Sequence, residues 1–192
     1  MSLEGMIGNY PTHLVDRDVL WATDQGRVYS VANQAGVTSQ AGLSATTPVL
    51  TLANQAGSGV KGLLHFAGAT FLVAFAAAAA IFVAVGSNPV DAEVTGTLTT
   101  AHRKTQLGGL TSQGNRITAF LAATLPAAPV AISLLGVGLT GAITTTPVVP
   151  TLGRWYNGTI VIMPGTNLSL QTSTASGTSG MLCEYLWEEV DL

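Results

Sequence analysis

From Ile117 to Cys183 the chain carries a single charged residue, Arg154. Few soluble folds can be built under that constraint. A free monomer keeps a solvated polar coat, and here Thr, Ser, Asn, Gln and Gly must supply most of it. Across the whole chain charged residues reach 9 %, where about 25 % is usual for soluble domains. Either the surface is bland but wet, or much of it is covered by other copies or by a partner. The composition favours shared burial.

The same poverty excludes function classes. A net charge of −3 argues against nucleic-acid binding, which needs clustered Lys and Arg to neutralise phosphates. Arg103-Lys104 is one adjacent pair and makes no patch. Cys183 is the single cysteine, so neither an internal disulfide nor a cysteine-based metal cluster can form. Met1-Ser2-Leu3-Glu4 lacks a basic region followed by an apolar core, so no signal peptide is expected. The 19 uncharged residues from Ala67 to Val85 are long enough to span a bilayer as a helix. Their alanines offer little apolar area, and no Lys/Arg cluster flanks them to set an orientation. No membrane partner is expected.

The remaining patterning is β-like. Residues 1–47 read as an N-terminal arm: mixed charge at the start, one short strand in Gly26–Val31, then a polar Gly/Gln/Ser/Thr stretch. From Pro48 to Leu192, β-prone runs alternate with Gly, Pro, Asn and Ser breaks. The runs are Val49–Leu52, Leu63–Phe75 with Gly68 as a candidate bulge, Ala80–Val85, Val94–Thr99, Pro129–Val137, Thr159–Met163, Asn167–Thr172 and Met181–Glu189. The alanines at 74–80 have high helix propensity. Phe71, Val73, Phe75, Ile81 and Val83 surround them with β-formers, which favours two strands joined by an alanine-rich bend. In the last run Cys183, Tyr185 and Trp187 fall on one face, opposite Glu184, Leu186 and Glu188. About eight strands suit an all-β jelly-roll β-sandwich with an extended N-terminal arm.

No constellation for chemistry emerges. Nucleophilic catalysis needs a base beside the nucleophile and a third group to orient it. His13, His65 and His102 read as solvated or packed, and no Gly-x-Ser-x-Gly elbow occurs. Glu184 and Glu188 share a face, as paired acids of a glycosidase would, but no aromatic platform lies on that face. They are expected to solubilise the final strand and limit edge pairing. Asp16/Asp18/Asp24 and Asp91/Glu93 match no calcium loop. Asn157-Gly158-Thr159 and Asn167-Leu168-Ser169 match glycosylation sequons, yet Asn157-Gly158 reads better as a turn. No residue is put forward as catalytic, cofactor-binding or metal-ligating, and no cofactor is expected.

The C-terminal third carries further landmarks: Arg154–Gly165, Leu168-Ser169-Leu170-Gln171 and Tyr185-Leu186-Trp187-Glu188-Glu189-Val190. With Asn54–Gly59 and Ala122–Pro129 upstream, residues 48–192 resemble the small jelly-roll structural proteins of tailed bacteriophages, whose last strand often ends in Trp-Glu-Glu. The resemblance implies a non-enzymatic virion protein, assembled in the bacterial host cytoplasm. It would decorate or cement a capsid as a homotrimer seated on the major capsid protein shell. The alternative is a receptor-binding or fibre-associated jelly-roll module of the virion. In the homotrimer the apolar material of Leu63–Val85 is expected in part at the subunit interface. The arm is expected to reach a neighbour or the shell while residues 48–192 fold without it, the alternative being that it packs on its own barrel.

Overall fold

The computed structural model describes residues 17–73, 75, 77–98, 103–104, 115–138, 152–176 and 180–192. One short helix, α1 (Arg17–Asp24), precedes eleven strands. These are β1 (Val28–Ala32), β2 (Leu50–Asn54), β3 (Val60–Phe71), β4 (Ala79–Ser87), β5 (Thr95–Leu98), β6 (Arg103–Lys104), β7 (Ile117–Thr124), β8 (Val130–Gly138), β9 (Leu152–Ile162), β10 (Thr166–Thr172) and β11 (Met181–Asp191). They form two sheets in the orders β6-β1-β11-β3-β9 and β5-β7-β2-β10-β4-β8, with every pairing antiparallel. The protein is therefore an all-β sandwich.

The core follows from strand alternation. Cys183, Tyr185 and Trp187 point inward, as the sequence pattern predicts, and meet Leu50, Leu52, Ile81, Val83, Leu168 and Leu170 of the other sheet. Trp187 is fully buried and stacks on Tyr29, with ring centroids 5.7 Å apart. The Tyr185 hydroxyl donates to the Leu50 carbonyl at 3.3 Å and ties the two sheets together.

The alanine-rich stretch is not helical where it is described. β3 ends at Phe71, β4 begins at Ala79, and Phe75 lies buried between them, edge-on to Phe71 at 5.1 Å. No helix among the described residues is long and apolar enough to cross a membrane. The expected bulge at Gly68 lies elsewhere: β3 shifts register at His65 against both neighbours. On β9 the irregularity is taken up by Tyr156–Thr159, where Asn157 (φ 48°) and Gly158 (φ 77°) are both left-handed. Asn and Gly accept that backbone at low cost, so this pair turns within a strand. Gly68 has a different role. A Cβ there would sit 2.8 Å from the Phe66 ring and from the Glu184 carboxylate.

The arm expected over residues 1–47 is corrected from residue 28 onward; residues 1–16 lie outside the described residues. β1 sits inside a sheet, between β6 and β11, and contributes Val28, Tyr29 and Val31 to the buried interior. Beyond it, the Asn33 amide donates to the Met181 carbonyl at 3.0 Å, and Val37 bridges to Met181. The Ser39 amide N–H donates to the Ser176 hydroxyl at 2.9 Å. Residues 44–47 then cross the outer face of the second sheet. There the Gln171 amide donates to Ser44 O, and Ala45 packs with Ala53, Val94, Phe120, Ala123 and Leu125. Satisfying these polar groups within the same chain accounts for the buried Asn33, Ser39 and Gln171. Helix α1 was not anticipated either. It ends at Gly26 (φ 67°), whose N–H returns to the Thr23 carbonyl.

Candidate functional surface

The titratable groups come first, because chemistry would need them. Of the three histidines only His65 lies among the described residues; His13 and His102 lie outside them. His65 is buried at the β3 register shift, with Nε2 3.5 Å from the Glu188 carboxylate. The other oxygen of Glu188 meets the Arg27 guanidinium at 3.0 Å, and Arg27 also lies over the Trp21 ring. Neither His65 ring nitrogen has a hydrogen-bond partner among the described residues. Glu188 is thus committed to a cation from the α1–β1 junction.

Glu189 is committed in another way. Its carboxylate accepts the backbone N–H groups of Arg116 (2.8 Å) and Ile117 (3.0 Å) and the Trp187 indole N–H (3.2 Å). Burial pushes the Glu189 carboxyl above its ordinary 4.5, and those three donors pull it part of the way back. The expectation of a solubilising, charged edge strand is therefore corrected. β11 lies between β1 and β3, and Glu188 and Glu189 are buried structural acceptors. Glu184 alone of the three stays exposed. Sequence reasoning missed both clusters, because Arg27 and Arg116 lie roughly 160 and 70 residues from their partners. The only available signal was the scarcity of bases to neutralise the final acids.

Among the described residues no group of three or more His, Cys, Asp or Glu could hold a metal ion. A small depression of about 200 Å³ opens beside Asn33, Gly68, Thr70, Leu182, Cys183 and Glu184. The Cys183 thiol is buried, and burial drives its pKa far above the ordinary range, so it offers no thiolate there. The depression brings together no nucleophile and base.

The unusual feature is apolar exposure along the side of the sandwich formed by β8 and β9. Each is the edge strand of its sheet. Ser133 on β8 accepts hydrogen bonds from the Tyr156 hydroxyl (2.8 Å) and the Arg154 guanidinium (3.3 Å) on β9, which joins the two edges. With Ser133 and Leu135 turned toward the core, Ile132 and Leu134 project from the second sheet, joined by Val137 beyond. With Tyr156, Ile160 and Ile162 turned inward on β9, Trp155 and Val161 project from the first sheet. Trp155 is 63 % exposed and covered on one side by Phe66, at 5.0 Å between ring centroids. By contrast the interior of the Leu63–Val85 segment is used up within the molecule: Leu64, Ala67, Ala69, Phe71, Ile81 and Val83 are all core. The outward apolar residues of that segment are Leu72 and Val73, which are exposed, and the half-buried Leu63, Phe66 and Phe82.

No protein-family model matches the chain, and no curated protein or solved structure matches it either.

Proposed function

We propose that this chain is a non-enzymatic virion structural protein, a jelly-roll β-sandwich that decorates or cements a bacteriophage capsid as a homotrimer. The strand order supports the jelly-roll reading. Taking the eight principal strands β1, β2, β3, β4, β8, β9, β10 and β11 in chain order, the sheets read first-eighth-third-sixth and second-seventh-fourth-fifth. That interleaving is the order expected of the double Greek key in a jelly roll. β5, β6 and β7 fall between β4 and β8 in sequence and extend the β1 and β2 edges.

The observation that carries the structural role is the apolar β8/β9 side, on which Arg154 is the one charge among the described residues. A monomer that left Trp155, Ile132, Leu134, Val137 and Val161 in water would expose an apolar strip on the outer side of each sheet, next to its open edge. An assembly protein covers such strips. The buried ionic clusters support the same reading, since their acids hold β11 in place instead of facing a cleft.

The test is a mass-spectrometric copy count on purified phage particles. A capsid decoration protein is expected at hundreds of copies. A few copies would move the chain to the tail or fibre, and absence from particles would overturn the virion reading.

A further inference from the structure

On the outer side of the first sheet, strand pairing brings together residues that lie far apart in the chain. Within β11 no aromatic side chain shares the side of Glu184. Pairing supplies two. Glu184 lies opposite Gly68 of β3, Phe66 stands two residues earlier on that strand, and Trp155 of β9 lies opposite Phe66. Gly68 permits the juxtaposition. A Cβ there would sit 2.8 Å from both the Phe66 ring and the Glu184 carboxylate, so ring edge and acid meet over the bare glycine. Phe66 in turn packs on the Trp155 indole, and Trp155 stays largely exposed. Beyond Glu184 the surface sinks into the depression of about 200 Å³, which Thr70, Leu182 and Ala32 also line.

We propose that this strip is a binding site for a neutral oligosaccharide, with one pyranose ring stacked on Trp155 and the next seated beside Glu184. The chemistry of the parts carries the assignment. A pyranose whose hydroxyls are mostly equatorial presents axial C–H bonds from a flat face, and the negative face of an indole attracts them. Its hydroxyls need partners, and no hydrogen bond among the described residues engages the Glu184 carboxylate or the Thr70 hydroxyl. The carboxylate can accept from two neighbouring hydroxyls, while Thr70 can donate or accept. The spacing agrees. Two strand spacings and two residues of rise separate the Trp155 and Glu184 backbones by roughly 12 Å. That is the reach of two linked rings.

Other ligands suit the strip less well. A basic side chain would meet one acid, exposed to water, where an ion pair gains little. An acidic sugar would be repelled by Glu184. Cleavage needs a second acid across the glycosidic bond, and Glu188 is held by Arg27. The sugar is therefore bound and not hydrolysed. The site does not depend on the virion reading. It takes Trp155 as a ligand platform and leaves Ile132, Leu134 and Val137, on the other sheet, for assembly.

The full-length protein is tested with cellobiose and N,N′-diacetylchitobiose, both β-linked and rich in equatorial substituents, against glucuronic acid and trilysine. Saturation-transfer NMR is expected to show transfer to the ring C–H protons of at least one disaccharide, saturating on the order of 1 mM. Trp155→Ala should abolish it. Glu184→Gln should weaken binding about tenfold, through loss of a charge-assisted hydrogen bond. Both positions are exposed, so both variants are expected to fold, which circular dichroism checks. Leu134→Lys, on the other sheet, should bind as the parent does. Silence of both disaccharides, or transfer that survives Trp155→Ala, would overturn the proposal. So would an equal loss in Leu134→Lys, or glucuronic acid binding as tightly as the neutral sugars. Binding of trilysine with both disaccharides silent would make this a cation site instead. None of these outcomes alters the copy count on particles, so the site and the virion role fail separately.

Discussion

At the scale of single residues, the last strand shows how one alternation can serve two purposes. Trp187 is fully buried, stacks on Tyr29 and donates its indole N–H to Glu189. Replacing it with alanine leaves a large cavity and removes that donor, so Trp187→Ala is expected to cost about 3–5 kcal/mol. Urea titration checks this, and a midpoint within error of the parent would refute the packing described. Glu189 makes a pH-dependent contribution whose sign is fixed by the direction of its shift. Its carboxyl holds its proton to a higher pH in the folded chain than in the unfolded one. Between the ordinary 4.5 and that raised value the native state binds the extra proton. This group's contribution to stability is therefore fullest at or below about pH 4.5 and is lost as pH rises through the folded value. Melting temperatures of the parent and Glu189→Gln across pH 4 to 7 should show a parent slope that the variant lacks; parallel curves would contradict it.

At the scale of elements, β1 changes the account of the N-terminal part. A Gly/Gln/Ser/Thr stretch with weak periodicity cannot bury enough apolar area to order itself. It does not need to, because β11 supplies a ladder from Glu184 to Glu188 and the outer face of the second sheet supplies the rest. Deleting residues 1–40 removes Val28, Tyr29 and Val31 and exposes one side of β11. The truncated chain is expected to lose cooperative unfolding; a sharp, native-like melt would show that the sandwich closes without β1. Strands β3 and β4 were legible because Phe71, Ile81 and Val83 outweigh the propensity of the alanines between them. β7 was not. Its inward residue Ala119 and its outward residue Ala123 are both small and buried, which gives the alternation little contrast.

At the scale of the whole molecule, charge is spread unevenly with a physical consequence. Arg27 and Arg116 are held by acids of β11, while the β8/β9 side keeps only Arg154. Water cannot solvate that side through ions, and burying it in an assembly gains on the order of 25 cal/mol per Å². Under the proposed homotrimer, the parent protein at micromolar concentration is expected to run at about three times 19.6 kDa. Mass photometry checks this, with a stable single chain as the opposing outcome.

The sequence alone determined the fold class, since period-two alternation with frequent breaks admits little besides strands, and it put Cys183, Tyr185 and Trp187 on the buried face. It also determined that Arg154 is the single charge from Ile117 to Cys183, which is a matter of composition. Only the tertiary structure decided what the polar and charged residues do. Asn33, Arg27 and Glu189 find their partners across roughly 150, 160 and 70 residues of chain, and no local pattern encodes a contact at that separation. The same holds for the two apolar faces. Alternation says that Leu134 and Trp155 point away from the core, but which strands lie at the sheet edges is set by the pairing of β8 with β4 and β9 with β3. Those pairings are the long-range choices that place the exposed residues on the edge strand of each sheet.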